Sequence, residues 1–328
     1  MRVLAWVHMY PPNHCAGAEM MLHEILLGLR ARGNEVHVMC NDNPAAEFDG
    51  IPITVQDNRD SLELINWADI IITHLDKTIP VILAVGNRKP LVHIVHNERQ
   101  LSFNGVTPKH AQLVVANSRW VADELCWPQP ERVMVIPPPV DANRYRVTPG
   151  TRITLINMNE NKGAHVFWKL AEQLPDLLFL AVKGGYYEQI IPKRVPQNVA
   201  VMEHTSDITT VYKQTRILLM PSAYESWGRV AIEAAASGIP TIATPTPGLR
   251  ESLGDSGIFV ARDNLKGWVS AIRALQDDAE YSRYAGLAQV RSKVLDPSPD
   301  LDRLNDALKA IAGRWAAQRG QGLRVQFM

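Results

Sequence analysis

The chain has 328 residues, 46% of them hydrophobic and 21% charged, with 34 Lys and Arg against 34 Asp and Glu. That length suits two domains rather than one. A formal net charge of zero removes any global argument for nucleic acid or an anionic membrane as partner. Cys15, Cys40 and Cys126 are odd in number and far apart, with neither disulfide nor metal-ligand spacing, which suits a reducing compartment. The opening stretch MRVLAWVHMYPP is too short in apolar length for a signal peptide, and no apolar run approaches the roughly 20 residues of a membrane span. The expectation is a soluble, cytoplasmic protein with no membrane span.

In chain order, RVLAWVH reads as a buried strand, followed by a loop with Pro11, Pro12 and Gly17. The helix-period stretch AEMMLHEILLGLRARG comes next, closed by Gly33, and EVHVMC returns as a strand, so the chain starts as a βαβ unit. ADIIITH, PLVHIVH, AQLVVANS and RVMVIPPPV continue as strands. The proline-rich IPPPVDANRYRVTPG breaks the pattern and reads as a linker. The alternation then restarts: RITLINMN, LLFLAVKGG, VAVME, ILLMPS and PTIAT as strands, AHVFWKLAEQL, ITTVYKQT and RVAIEAAASG as helices. A long amphipathic stretch near the end carries Leu301, Leu304, Leu308 and Ile311 on one face. Such alternation implies two α/β domains, each a parallel sheet covered on both faces. The expected bounds are 1–143, 150–300, and a C-terminal helix and tail over 301–328 that packs back toward the first domain.

Open parallel sheets bind ligands beyond the carboxyl ends of their strands, so two of them predict a site in the cleft that they form. Three histidines close strands of the first domain: His8, His74 and His96. A three-histidine metal site is set aside, because strand ends fan apart and no acidic ligand stands beside them. In the second domain, ILLMPS leads into Glu225, and a helix is expected from near Gly228 to Gly238. The free N–H groups near Trp227, Gly228 and Arg229 would form an anion site. Glu233 is then a carboxylate in an otherwise apolar helix. Either a nearby arginine or water satisfies it, or a ligand does, as the vicinal hydroxyls of a ribose could.

The stretch PSAYESWGRVAIEAAASGIPTIATPTPGLRE resembles the glutamate-x7-glutamate signature of the retaining, GT-B-fold glycosyltransferases of family four. CAGAE resembles their glycine-rich loop after the first strand, VVANSRWVADEL with VIPPPVD the end of their first domain, and ENKGAHVFWKLAEQLPDLLFLAVKGG the start of their second. The resemblance covers nearly the whole chain. It implies two Rossmann-like, doubly wound domains facing across a cleft, the first on the acceptor side and the second holding a nucleotide sugar. It implies that Glu225 contacts the donor sugar, Glu233 the ribose hydroxyls, Lys162 the donor phosphates, and His96 the transferred sugar. Gly17, Gly184 and Gly185 would lie in loops near the donor, though a plain turn serves Gly184 and Gly185 equally. Asn97, Glu98, Asn117 and Ser118 follow strands and could reach an acceptor or serve the fold alone, and Glu19 most simply complements its helix start. One departure stands out. The family's arginine five residues before the lysine is Asn157 here, and Arg229 is the candidate to compensate.

The implied reaction moves a sugar from a nucleoside diphosphate, UDP favoured and GDP possible, to a hydroxyl, with the anomeric configuration retained. No aspartate-x-aspartate metal pair is present, so neither cofactor nor metal is expected. The acceptor stays open among glycan, lipid, small molecule, protein and modified DNA. A nucleotide-sugar epimerase of the same fold and a non-catalytic nucleotide-sugar-binding protein are the alternatives.

Overall fold

Runs of buried β-branched residues joined by amphipathic helices favour parallel strands covered on both faces. The computed structural model describes residues 1–98, 106, 109–185 and 187–325, without side chains at 58–60 and 320–325. The chain divides into two units: Met1–Pro139 with Pro297 onward, and Val140–Asp296.

Unit 1 contains β1 (Arg2–Trp6), α1 (Gly17–Ala31), β2 (Glu35–Cys40), β3 (Glu47–Phe48), β4 (Ile51–Val55), α2 (Asn58–Trp67), β5 (Ile70–His74), α3 (Thr78–Val85), β6 (Leu91–Val95), β7 (Leu113–Ala116), α4 (Arg119–Glu124) and β8 (Val133–Val135). Its sheet runs β3-β4-β2-β1-β5-β6-β7-β8, parallel except for the β3–β4 hairpin at one edge. Met21, Leu22, Ile25, Leu26 and Leu29 of α1 fall at helical spacing and are fully buried against this sheet.

Unit 2 contains α5 (Ala142–Tyr145), β9 (Arg152–Ile156), α6 (Ala164–Gln173), β10 (Phe179–Val182), β11 (Val199–Met202), α7 (Thr209–Tyr212), β12 (Thr215–Met220), α8 (Arg229–Ala235), β13 (Thr241–Ala243), α9 (Pro247–Leu253), β14 (Gly257–Phe259), α10 (Leu265–Ala274) and α11 (Asp278–Val294). Its parallel sheet runs β11-β10-β9-β12-β13-β14.

The chain then returns to unit 1 as α12 (Ser298–Val325). Leu301, Leu304, Leu308 and Ile311 join the core beneath α1. Burial of each such side chain stabilises by about 1.5–3 kcal/mol relative to exposure.

Periodicity alone missed β4 and the short β3 and β14, and the residues read as a linker do not hang free. Tyr145 of α5 is 6% exposed and packs in the core of unit 2. The regular part of α8 stops at Ala235, and the Gly238 N–H to Ala235 carbonyl and Ile239 N–H to Ala234 carbonyl bonds close its end.

Candidate functional site

The strand order of unit 2 reverses direction between β9 and β12, the crevice where doubly wound sheets take their ligands. The loop after β9 carries Lys162 and the loop after β12 carries Glu225, and the two side chains form an ion pair there. Ser222 donates its hydroxyl to the same carboxylate oxygen at 2.9 Å. The Glu225 side chain is 11% exposed and that of Lys162 is 27% exposed, so the pair is largely withdrawn from water. Two features hold the loops together. Gly163 has φ +86°, and a Cβ there would meet the Pro221 carbonyl at 2.5 Å, so only glycine lets the first loop come this close. Arg262 clasps both loops, donating to the Pro221 carbonyl at 2.9 Å and the Glu160 carbonyl at 2.6 Å. No motif in the sequence pointed to Arg262.

Gly228, also left-handed with φ +85°, turns the chain into α8. Trp227 before it is 3% exposed, and its indole N–H has no acceptor. Glu233 is 6% exposed, and the protein itself satisfies it. The Arg229 Nε donates to one carboxylate oxygen at 2.6 Å and the Tyr212 hydroxyl to the other at 2.7 Å. The reason is the four-residue spacing, which stacks Arg229 beside Glu233 on one helix face. A ligand is therefore not required to explain this buried carboxylate. Arg229 also donates to the Tyr145 hydroxyl at 2.8 Å, and its side chain is 9% exposed. It is built into this cluster rather than left open to replace the phosphate-directed arginine. Burial and the adjacent Glu233 charge push the Tyr212 phenol well above its ordinary pKa, so it remains a donor.

Asn157 adopts φ +72°, a conformation that asparagine tolerates better than arginine. Its side-chain oxygen accepts from Asn159 and from Gln189, both at 3.0 Å. Gln189 in turn accepts from the N–H groups of Met158 at 2.9 Å and Gly184 at 2.8 Å. Asn159 accepts from the Lys162 N–H at 2.9 Å. The position expected to carry a phosphate-directed charge thus holds an uncharged network that shapes the Lys162 loop. Gly184 lies against it, since a Cβ there would fall 2.3 Å from Asn157 Cγ, whereas Gly185 is exposed beside the His204 imidazole.

In unit 1 the sheet reverses between β1 and β5. His74 and His96, at the ends of β5 and β6, share a 2.8 Å hydrogen bond between Nδ1 of His74 and Nε2 of His96. His74 Nε2 is buried without a partner. His8 follows β1, its ring 6.5 Å from that of His74 and its Nδ1 3.4 Å from Asp76. Burial, and for His74 the neighbouring His96, keeps both rings neutral. His96 is pushed down to about 3 and His74 well below its ordinary value. Among the described residues no group of three His, Cys, Asp or Glu is placed to hold a metal ion. The Ser118 hydroxyl caps α4, accepting from the Val121 N–H at 3.1 Å and donating to Asn117 at 3.3 Å. Asn117 donates to the His96 carbonyl at 2.7 Å. These two side chains are committed to the fold. Asn97 and Glu98 are half-buried just after β6. Gly17 opens α1 with clear space around it. Glu19 in that first turn is 5% exposed with Oε2 unpartnered, and burial pushes its carboxyl up.

Two parallel-sheet α/β units of this order define the GT-B class of fold. Residues 152–278 match the family model of Glycosyl transferases group 1, and residues 16–144 that of Glycosyltransferase Family 4. The chain belongs to the family-four glycosyltransferases. The D-inositol 3-phosphate glycosyltransferase of Nocardia farcinica is 26% identical over 266 residues, 62% of this chain and 57% of that protein. The glycogen synthase of Mycobacterium tuberculosis is 28% identical over 198 residues, 56% of this chain and 46% of that protein. The chain thus spans about half the length of the curated relatives it matches. Anabaena HepE, solved with UDP and glucose, superposes with TM-score 0.76 at 19% identity over 94% of this chain and 100% of that one. A glycosyltransferase of Rickettsia africae gives TM-score 0.73 at 16% identity over 94% and 98%. At those identities the likeness is one of fold.

Proposed function

We propose that the protein is a glycosyltransferase that moves a sugar from a UDP-sugar to a hydroxyl acceptor with retention of configuration. The observation that carries this reading is the Lys162–Glu225 pair at the point where the unit 2 sheet reverses. HepE, of the same fold, was solved with UDP-glucose. Residues 150–300 hold the donor in this reading and 1–143 serve the acceptor. The Lys162 ammonium offsets charge on the departing diphosphate, where a preformed cation is worth most. Glu225 and Ser222 orient the donor sugar. Glu233 takes the ribose hydroxyls through its remaining lone pairs, since an ionised carboxylate offers about four acceptor sites and the protein uses two. Arg229 and Tyr212 hold that carboxylate in place. Gly17, Gly184, Gly185, Trp227 and Gly228 line the approach to the donor, and Asn97 and Glu98 lie on the acceptor side.

What His96 lacks supports the retaining reading. An inverting transfer needs a general base matched to neutral pH. An imidazole with its pKa pushed down to about 3 is a poor one. The leaving phosphate then takes the acceptor proton from its own face, and His96 serves as a neutral hydrogen-bond partner for a substrate hydroxyl. Neither metal nor cofactor is required. Proton NMR of the first-formed product tests the reading: the anomeric configuration of the donor is expected. An inverted product, with a dead His96→Asn variant, would make His96 the base.

A further inference from the structure

Unit 1 also has a cavity of about 370 Å³ at the opposite edge of its sheet, where strands begin rather than end. Asp69 immediately precedes β5, Arg88 and Lys89 lie between α3 and β6, and Lys309, Trp315 and Arg319 belong to α12. The volume is within the range of small-molecule sites.

Its charge balance is one-sided. Asp69 is already matched, its two oxygens accepting from the Arg2 N–H at 2.8 Å and the Arg2 guanidinium at 2.9 Å. Four further cations remain: Arg88, Lys89, Lys309 and Arg319. Some of that charge serves helix ends. Lys89 donates to the Asn66 and Ala68 carbonyls at the end of α2, and Arg88 to the Ala84 and Val85 carbonyls at the end of α3. Each helix end is worth roughly half a negative charge, so about three positive charges stay unbalanced. Arg319 donates to the Arg88 carbonyl at 2.8 Å, which places its charge over the same spot. Burial and the neighbouring Arg2 and Arg319 cations push the Lys89 ammonium below its ordinary pKa.

One donor has nothing to donate to: the Trp315 indole N–H is buried without an acceptor. Lys309, before it on the same cavity wall, is exposed, and its ammonium faces water. A buried unmet donor is costly, and an anion supplies both the acceptor and the missing charge.

We propose that this cavity is a binding site for a phosphate group, inorganic or carried by a small organic monoester. Lys309 and Trp315 would donate to it within the field of Arg88, Lys89 and Arg319. The site does not depend on the proposed transfer reaction and shares no residue with it.

The test titrates inorganic phosphate into the full chain at constant ionic strength and follows the indole N–H resonance of Trp315, assigned with Trp315→Phe. A saturable shift is expected at millimolar phosphate. Affinity should weaken about tenfold in Lys309→Ala, the worth of one charge-assisted bond, and stay unchanged in Lys162→Ala. No shift of the Trp315 signal, or full affinity in Lys309→Ala, overturns the proposal. Binding lost in Lys162→Ala instead would assign the phosphate to unit 2 and overturn it as well. Vesicles containing phosphatidic acid separate the sources of the group. Attachment to vesicles without binding of free phosphate would mean surface attraction and no such site.

Discussion

The two sheets reverse strand order at equivalent places and dress those places in opposite ways. In unit 2 the crevice between β9 and β12 holds the Lys162–Glu225 pair, with Arg229–Glu233 just behind it on α8. In unit 1 the crevice between β1 and β5 presents His8, His74 and His96, and burial keeps the latter two neutral. Lys77, in the turn that follows β5, donates to the amide oxygens of Asn41 and Gln56 rather than to a carboxylate. A charge withdrawn from water survives only with a partner, whereas an imidazole can shed its proton. On the proposed function, one crevice would meet charge and the other hydroxyls. This is the division of labour expected if a diphosphate donor is bound by one unit and a hydroxyl acceptor by the other.

The comparison breaks most visibly at Lys162. Lys162→Ala removes the cation and leaves Glu225 without its ionic partner. Turnover should fall by about 100- to 1000-fold, as when one preorganised stabiliser of developing charge is lost, with a smaller change in KM. Steady-state rates of UDP release measure both, and an unchanged kcat would remove Lys162 from the mechanism.

Glu233 gives the next effect. Glu233→Ala should weaken UDP binding by roughly 1.5–3 kcal/mol, about ten- to 150-fold, if the ribose hydroxyls lose a charged acceptor. Calorimetry on this variant and on Arg229→Lys distinguishes the two duties of the carboxylate. Normal affinity in the glutamate variant would leave Glu233 as the internal partner of Arg229 and nothing more.

Acid sharpens the unit 1 side. The His96 pKa is about 3 in the folded chain against an ordinary value of 6.5, so the unfolded chain takes up the proton first as pH falls. Stability is therefore full above about pH 6.5 and declines below it, by up to about 1.4 kcal/mol per pH unit for this group until pH approaches its folded pKa. Urea midpoints between pH 7 and 5 should show the decline, and His96→Asn should reduce it, leaving the share of His74, whose pKa burial also lowers. A midpoint as pH-dependent in the variant as in the parent would mean that other groups carry the effect. EDTA stands at the bottom of the scale and should leave transfer unchanged. Loss of activity restored by manganese or magnesium would bring a metal back into the account.

Much of this architecture could be read from the chain because long buried strands announce themselves. The runs around Leu4, Ile71, Val115 and Leu218 have the length and apolarity that parallel sheets demand, and their ends lead directly to His8, His74 and Glu225. What stayed hidden depended on distant residues. The Arg262 clasp, the Tyr145 and Tyr212 contacts to Arg229 and Glu233, and the Gln189 network at Asn157 join positions remote in sequence, and no periodicity encodes such meetings. The Arg229–Glu233 contact was different. Its four-residue spacing was visible, but spacing alone could not choose between a protein partner and a ligand for the carboxylate. Short strands such as β3 and β14 carry too few residues to show a pattern.

The return of α12 to unit 1 has a consequence for synthesis. A ribosome completes the strands of unit 1 by β8, yet Leu301, Leu304, Leu308 and Ile311, which seal its core, come only after all of unit 2. At typical elongation speeds that interval lasts on the order of ten to thirty seconds. During it the part of the unit 1 core that α12 covers, beside Gly28 of α1, stays open, while Val140–Asp296 can already fold. Nascent chains arrested before Leu301 should therefore be the ones that engage chaperones, and proteases should cut them in the first unit before the second.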